Sequence, residues 1–576
     1  GHTQRPWLVP LSATEASPFG PSSQGWRISE VQDAKAKANA ETSNGEADET
    51  VICHVAADGF EERMVPFPVP SGSYRDLAVV KDGVVWIEVA DRGGELGATR
   101  AGVTGEAPSD VLWHYNLSAR HLDKLCERVD TFSVSGDGER LVVRHRDDTI
   151  VVPSSHKVDG DDPACIRVDL TRLRRTVNPR AEWRQMFDEN GRLMASHYWR
   201  EDMNGVDWDS VLNRYRPLVD LCHVVDDLHD ILWETVAELN TSHSYVSASG
   251  AAGDSDMRAG LLGADVSSGN DGAKVVRVIP GESSDPRAWS PLRAAGVAVT
   301  EGDVIVAVDG RKVGADGNLG ELLEGSAGRV VELTVRRGEN ERQVAVVPMA
   351  DEAPLRYHDW VASRRRYVEE HSGGRLGYLH VPDMVSDGWA ELHRQIGEAT
   401  RHEGVIADVR FNHGGHTSQL VVERLARRVV GWDYSRWYAT ADTYPQNAVR
   451  GPIVMVTNQW AGSDGDIVAA ATQAMGYAKV IGERSWGGVV GIDGRFDLVD
   501  GTSVTQPRYA GWYGSYGWGV ENHGVDPDIV VTVSPEDWEA DCDVQLDAAI
   551  AECLRQLDDK PAATAPELPG PAFDRC

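Results

Sequence analysis

Positive charge is what this 576-residue chain has least of: 57 Lys and Arg stand against 90 Asp and Glu, a formal net charge of -33. Phosphates would be repelled, so nucleic acid is excluded as a partner. No apolar run approaches the ~20 residues that a membrane span needs, and no signal peptide is visible. The seven cysteines (Cys53, Cys126, Cys165, Cys222, Cys542, Cys553 and Cys576) are odd in number and form no CxxC pair. That spacing excludes a disulfide framework and a zinc site, and fits a reducing compartment. P-loop and dinucleotide fingerprints are missing too, so neither metal nor organic cofactor is expected.

What the chain does have is a strand–turn–helix pattern carrying a serine. The apolar run Ile453-Val454-Met455-Val456-Thr457 leads into Ala461-Gly462-Ser463-Asp464-Gly465-Asp466, and a helical pattern follows. Such a turn exposes a hydroxyl, with small neighbours and a helix N-terminus beside it. A nucleophilic serine needs a base, and the base needs an orienter. Thr241-Ser242-His243-Ser244-Tyr245 offers a base in His243. Gly519-Val520-Glu521-Asn522-His523-Gly524 offers a carboxylate in Glu521, with His523 as a rival base. In Asp408-Val409-Arg410-Phe411-Asn412-His413-Gly414-Gly415-His416, glycines after an apolar strand leave N–H groups free to face an oxyanion.

These four stretches, taken in chain order with a domain between the Ser242-His243 stretch and the glycine loop that follows it, resemble the tricorn protease family. The resemblance runs from roughly Arg180 to Arg555 and is carried by the Ser463 turn, by Trp486-Gly487-Gly488-Val489-Val490-Gly491-Ile492 and by Gly519-Val520-Glu521-Asn522. It implies a cytosolic serine endopeptidase acting on oligopeptides downstream of the proteasome, assembled as a hexamer, with aminopeptidases as functional partners. It places the nucleophile on Ser463, the base on His243, and the orienters on Ser242 and Glu521. The oxyanion N–H groups fall on Asp464 and Gly415, with Gly414 and His416 as rivals for the latter. Gly414 joins the substrate-binding side, and His413 stands where the family has a glycine. Asp433, in Gly431-Trp432-Asp433-Tyr434, matches the acidic residue that selects basic P1 side chains; a surface-loop aspartate is the competing reading.

The fold expected is multidomain. Residues 1–176 read as part of a β-propeller, because Leu77–Val89 and Phe132–Arg144 repeat a strand, an Asp-Gly turn and a strand. A blade takes ~40–45 residues and a ring at least four blades. The chain is therefore expected to begin in mid-protein, with the missing blades upstream or on another chain. Residues 177–255 read as a helical domain carrying the base, and 256–350 as PDZ-like, with Gly260-Leu261-Leu262-Gly263 as a carboxylate-binding loop. Residues 351–557 read as an α/β catalytic domain and 558–576 as a flexible tail.

Two rivals bracket this reading. Carboxyl-terminal processing proteases share the architecture but use a Ser–Lys dyad; their lysine position falls here on Gly488, and Lys479 reads as a strand-end charge. A catalytically inactive peptide-binding scaffold is the other, opposed by the full complement of Ser463, His243, Ser242 and Glu521.

Overall fold

The computed structural model describes residues 4–11, 19, 55–58, 61–90, 109–146, 148–248, 257–314, 318–437, 439–493 and 496–568. Cys53, Cys576 and the last eight residues of the proposed tail lie outside them. The described chain forms two compact units, divided between Thr176 and Val177.

In the first unit, Tyr74–Val80, Gly83–Glu88, Val111–Asn116 and His121–Glu127 pair in chain order into a four-stranded antiparallel sheet. Thr131–Val134, Arg140–His145, Asp148–Pro153 and Ile166–Arg167 form a second. Strand alternation puts Val85, Ile87 and Leu112 of one sheet and Leu141, Val143 and Val152 of the other into one core. Among the described residues no strand closes the two sheets into a ring; they are blades of a partial propeller. Leu77 and Val79 stay exposed on the edge strand Tyr74–Val80. One detail differs from the sequence expectation. The first turn is Lys81-Asp82, and Gly83 already belongs to the strand. Glycine is required there because a Cβ would lie 2.1 Å from the Tyr115 carbonyl oxygen.

The second unit begins with the helices Pro179–His197, Trp208–Val219 and Val225–Ala237, the first two capped by Asn178 and Asp207. Their apolar faces bury Phe187, Met194, Leu228 and Leu232 together with Leu498 and Val504 from far along the chain. Ala264–Gly269, Gly272–Val278, Val304–Val308, Val331–Arg337 and Asn340–Val346 then build the antiparallel sheet of the PDZ domain.

The domain expected to be catalytic is built on a five-stranded parallel sheet in the order Leu376–His380, Gly404–Asp408, Ile453–Thr457, Ala478–Gly482, Ile529–Val530. The first three strands are buried at every residue, as helices on both faces dictate. Helices Ser386–Ala399, Ser418–Leu425 and Asp464–Met475 contribute to the core on one face. Ala353–His371 and Val544–Asp559 contribute to that on the other. Past the last helix, Ala563 and Arg450 exchange hydrogen bonds, and Tyr434 donates to the Pro566 carbonyl. That part of the proposed tail is thus held against the domain. The Gly414-Gly415 loop and the Ser463 turn follow the carboxyl ends of the strands Gly404–Asp408 and Ile453–Thr457, where such sheets expose their loops.

Candidate active site

Ser463 stands between the strand Ile453–Thr457 and the helix Asp464–Met475, at φ 56° and ψ -120°. That conformation is costly for a side chain with a Cβ and persists only where neighbours hold it. Its hydroxyl does not cap the helix, which leaves it available. The first-turn N–H of Asp464 has no intrahelical acceptor, by helix geometry. The Asp464 carboxylate turns away to accept from Ser418 N–H at 3.0 Å and Ser418 Oγ at 2.8 Å.

The glycine loop after Asp408 lies against this turn. Its base is fixed by Arg410, buried between Asp408 (2.7 Å) and Asp543 (2.9 Å). Asn412, fully buried, accepts from Gly414 N–H at 2.9 Å through its side chain and from Gly462 N–H at 3.0 Å through its carbonyl. Its amide donates to the Val381 carbonyl at 2.8 Å. The three rival oxyanion donors now separate. Gly414 N–H is taken by Asn412 and His416 N–H by the Met384 carbonyl at 2.7 Å. Gly415 N–H has no acceptor among the described residues. Gly415 adopts φ 146°, and a Cβ on it would lie 2.1 Å from the Met384 carbonyl oxygen. Gly414, at φ 76°, lies so close that a Cβ on it would meet Ser463 Cβ at 2.5 Å.

The other half of the site is assembled around Glu521. Its Oε1 accepts from Ser242 N–H at 2.7 Å. Its Oε2 accepts from Ser242 Oγ at 3.0 Å and from the N–H groups of Val489 and Val490 at 2.8 and 3.0 Å. Ser242 Oγ also bonds His243 Nδ1 at 2.9 Å. An ionised carboxylate can only accept, so the Ser242 proton goes to Glu521 and Ser242 Oγ must accept from His243. The imidazole proton then sits on Nδ1, and Nε2 carries the free lone pair. Burial lowers the His243 pKa, and the Glu521 charge raises it in partial compensation. The segment is stapled on both sides of the ring. Asn522 donates to the Asn240 carbonyl at 2.7 Å, and Thr505 Oγ1 bridges the His243 carbonyl and Tyr245 N–H.

Trp486 connects the halves. Its N–H donates to the Ala461 carbonyl at 2.9 Å, and its ring packs on Gly462, where a Cβ would lie 2.7 Å away. Its other neighbour is the His243 ring, edge-on at 5.5 Å between centroids. Ser463 Oγ and His243 share no hydrogen bond here; free sites often leave this contact open until substrate arrives. A cavity of about 540 Å³ abuts Glu521 and is walled by Val489, Val490 and the stacked pair Trp199 and Trp518.

The remaining candidates lie elsewhere. His523 is exposed and pairs with Asp526 at 2.8 Å. Lys479 is exposed at its strand end, 3.1 Å from Asp528, and Gly488 N–H faces Asp466. No lysine therefore serves the Ser463 turn from those positions. Asp433 is exposed on the hairpin Gly431–Asp433/Asp442–Tyr444, opposite Asp442, and no contact joins it to Ser463. Asn412, Asp466, Trp486 and Thr505 were not singled out from the sequence. Asn412, Asp466 and Trp486 lie inside stretches the sequence did mark; Thr505 carried no signal. Asp466, Trp486 and Thr505 owe their place to contacts distant in sequence.

Known proteins match this arrangement. The Tricorn protease C1 domain family matches residues 179–237, the Tricorn protease PDZ domain family residues 260–351, and Peptidase family S41 residues 375–531. The chain is 53% identical to "Tricorn protease homolog 1" of Streptomyces coelicolor, over 98% of its own length and 52% of that protein. It is 34% identical to the "Tricorn protease" of Thermoplasma acidophilum, over 86% of its length and 46% of that protein. A solved structure, "Crystal structure of the tricorn protease", superposes with a TM-score of 0.81 at 31% identity, covering 96% of this chain and 51% of that one. The chain thus spans about half the length of the curated relatives it matches. With a partial propeller, C1 and PDZ domains and an S41 peptidase domain in that order, the chain belongs to the tricorn protease family.

Proposed function

We propose that this chain carries the active site of a serine endopeptidase that degrades oligopeptides. Ser463 Oγ attacks the scissile carbonyl carbon and passes its proton to His243 Nε2. The carbonyl oxygen, now negative, is met by the N–H groups of Asp464 and Gly415. The C–N bond breaks as His243 returns the proton to the leaving amine, and water hydrolyses the acyl-enzyme by the same route. Ser242 relays the Glu521 charge to the imidazolium. The observation that carries this reading is the Glu521–Ser242–His243 chain, which leaves Nε2 as the acceptor, together with the free N–H pair around Ser463. The same geometry favours a histidine base over the Ser–Lys alternative, since Gly488 stands at the lysine position.

The family supports further proposals: proteasome products as substrates, a cytoplasmic setting, a homo-oligomer of hexamer size, aminopeptidases downstream, and Asp433 as a selector of basic P1 residues. Among the described residues no helix is long and apolar enough to cross a membrane. Peptide hydrolysis by the Ser463→Ala and His243→Ala variants tests the core assignment. Both should lose turnover while folding normally, because members of such a unit fail together. Retained turnover in either folded variant would refute it.

A further inference from the structure

Asp466 is a buried carboxylate beside the nucleophile that the mechanism above does not use. It lies one helical turn after Ser463 and is 0% exposed. An acid in a first helical turn is ordinarily a solvated partner of the helix dipole, and burying a charge without a cation is costly. Among the described residues no cation pairs with Asp466. Its partners are neutral donors from another segment: Ser485 Oγ, Gly487 N–H at 2.8 Å and Gly488 N–H at 3.3 Å. Ser485 Oγ, having given its proton to Asp466, accepts from Val525 N–H at 2.8 Å. The turn it secures runs on to Val489 and Val490, whose N–H groups hold Glu521. Asn522 N–H donates back to the Gly487 carbonyl at 2.7 Å.

We propose that Asp466 is a positioning residue, a clip that sets the register between the nucleophile turn and the segment holding Glu521, Ser242 and His243. Resting on the peptidase reading above, the clip explains how two halves drawn from distant stretches keep a fixed spacing while Ser463 and His243 share no bond of their own. It also touches the nucleophile turn directly, because the Asp466 N–H donates to the Ser463 carbonyl at 2.9 Å. Only an unprotonated carboxylate accepts from all three donors with both oxygens, so a proton on Asp466 opens the clip. Burial pushes its pKa up to about 6, against the pull of Ser485, Gly487, Gly488 and Ser463. Among the described residues the titratable group that feels its charge is Tyr513, raised to about 12 by burial first and then by Asp464 and Asp466.

The test is steady-state hydrolysis of a fluorogenic oligopeptide by the full chain and its Asp466→Asn variant, with fluorophosphonate labelling of Ser463 as the independent check of the site. The amide keeps the shape but turns an N–H₂ toward donors. Turnover should fall about 10²-fold, as a misplacement near 1 Å costs, with KM nearly unchanged in a variant that still folds at a lowered melting temperature. The acid limb of kcat/KM in the unmodified protein should bend from one proton to two on descending through pH 6 and 5, and should be single-proton in the variant. Wild-type turnover in the variant overturns the clip while leaving the peptidase reading intact. Should the variant fail to fold, a single-proton limb in the unmodified protein alone overturns it. Absence of both labelling and hydrolysis in the unmodified protein fells the peptidase reading first.

Discussion

Replacing Glu521 by glutamine tests the electrostatic part of the site while keeping its shape. The carboxylate accepts four hydrogen bonds, three of them on Oε2. The amide oxygen will take the three-donor position, which leaves the N–H₂ group facing Ser242 N–H, so one bond becomes a donor–donor contact. The Ser242 hydroxyl keeps a partner, but a neutral one. Hydrogen bonds to charged groups contribute about 1.5–3 kcal/mol and neutral ones about 0.5–1.5. The imidazolium therefore loses support of roughly 1.3 kcal/mol, or about tenfold in kcat. KM should hardly move, because the imidazolium exists only once the proton has been transferred. The pH dependence gives a sign as well as a size. Glu521 raises the His243 pKa against a larger lowering by burial. Without the charge only burial remains, so the acid limb of kcat/KM should shift to lower pH as the plateau falls. The assay is peptide hydrolysis from pH 4.5 to 8, normalised to sites titrated with a fluorophosphonate. An unmoved limb, or one that shifts upward, would remove Glu521 from the chain of orienters.

Two further substitutions probe the other side of Ser463. Gly415→Ala places a Cβ 2.1 Å from the Met384 carbonyl oxygen at φ 146°. It should displace the oxyanion N–H and lower kcat on the order of 10²–10³-fold, and near-normal kcat would clear Gly415 of that role. Asp433→Ala should selectively reduce cleavage after Lys and Arg, by removing a charge-assisted pair with the P1 side chain; equal losses on basic and apolar P1 substrates would assign Asp433 to structure.

Much of this site was legible because strand–turn–helix punctuation is local. Five apolar residues, then Gly462-Ser463, then a helical run place a serine at a helix N-terminus whatever the rest of the fold does. The propeller hairpins were legible for the same reason, from their alternation and turn residues. The resemblance put the oxyanion donor on Gly415 with Gly414 and His416 as rivals; that the two rivals' N–H groups are already bonded, to Asn412 and Met384, was not legible in the sequence. The pairing of Ser242 with Glu521 spans 279 positions, and nothing local in either segment encodes it; the family resemblance did. Asp466 was quoted in the turn but not weighed, since an acid in a first helical turn looks like a dipole partner until its burial is seen. The turn at Lys81-Asp82 was misplaced by one residue because Gly83 reads as a turn glycine, whereas its role is to admit the Tyr115 carbonyl.

The central claim is that Ser463 is a nucleophile activated by His243. Mass spectrometry after fluorophosphonate treatment tests it most directly, since the reagent labels only a serine whose proton is being taken up. The account predicts one adduct, on the peptide containing Ser463, and none in the folded His243→Ala variant. No adduct on the folded protein, an adduct on another serine, or undiminished labelling without His243 would contradict it.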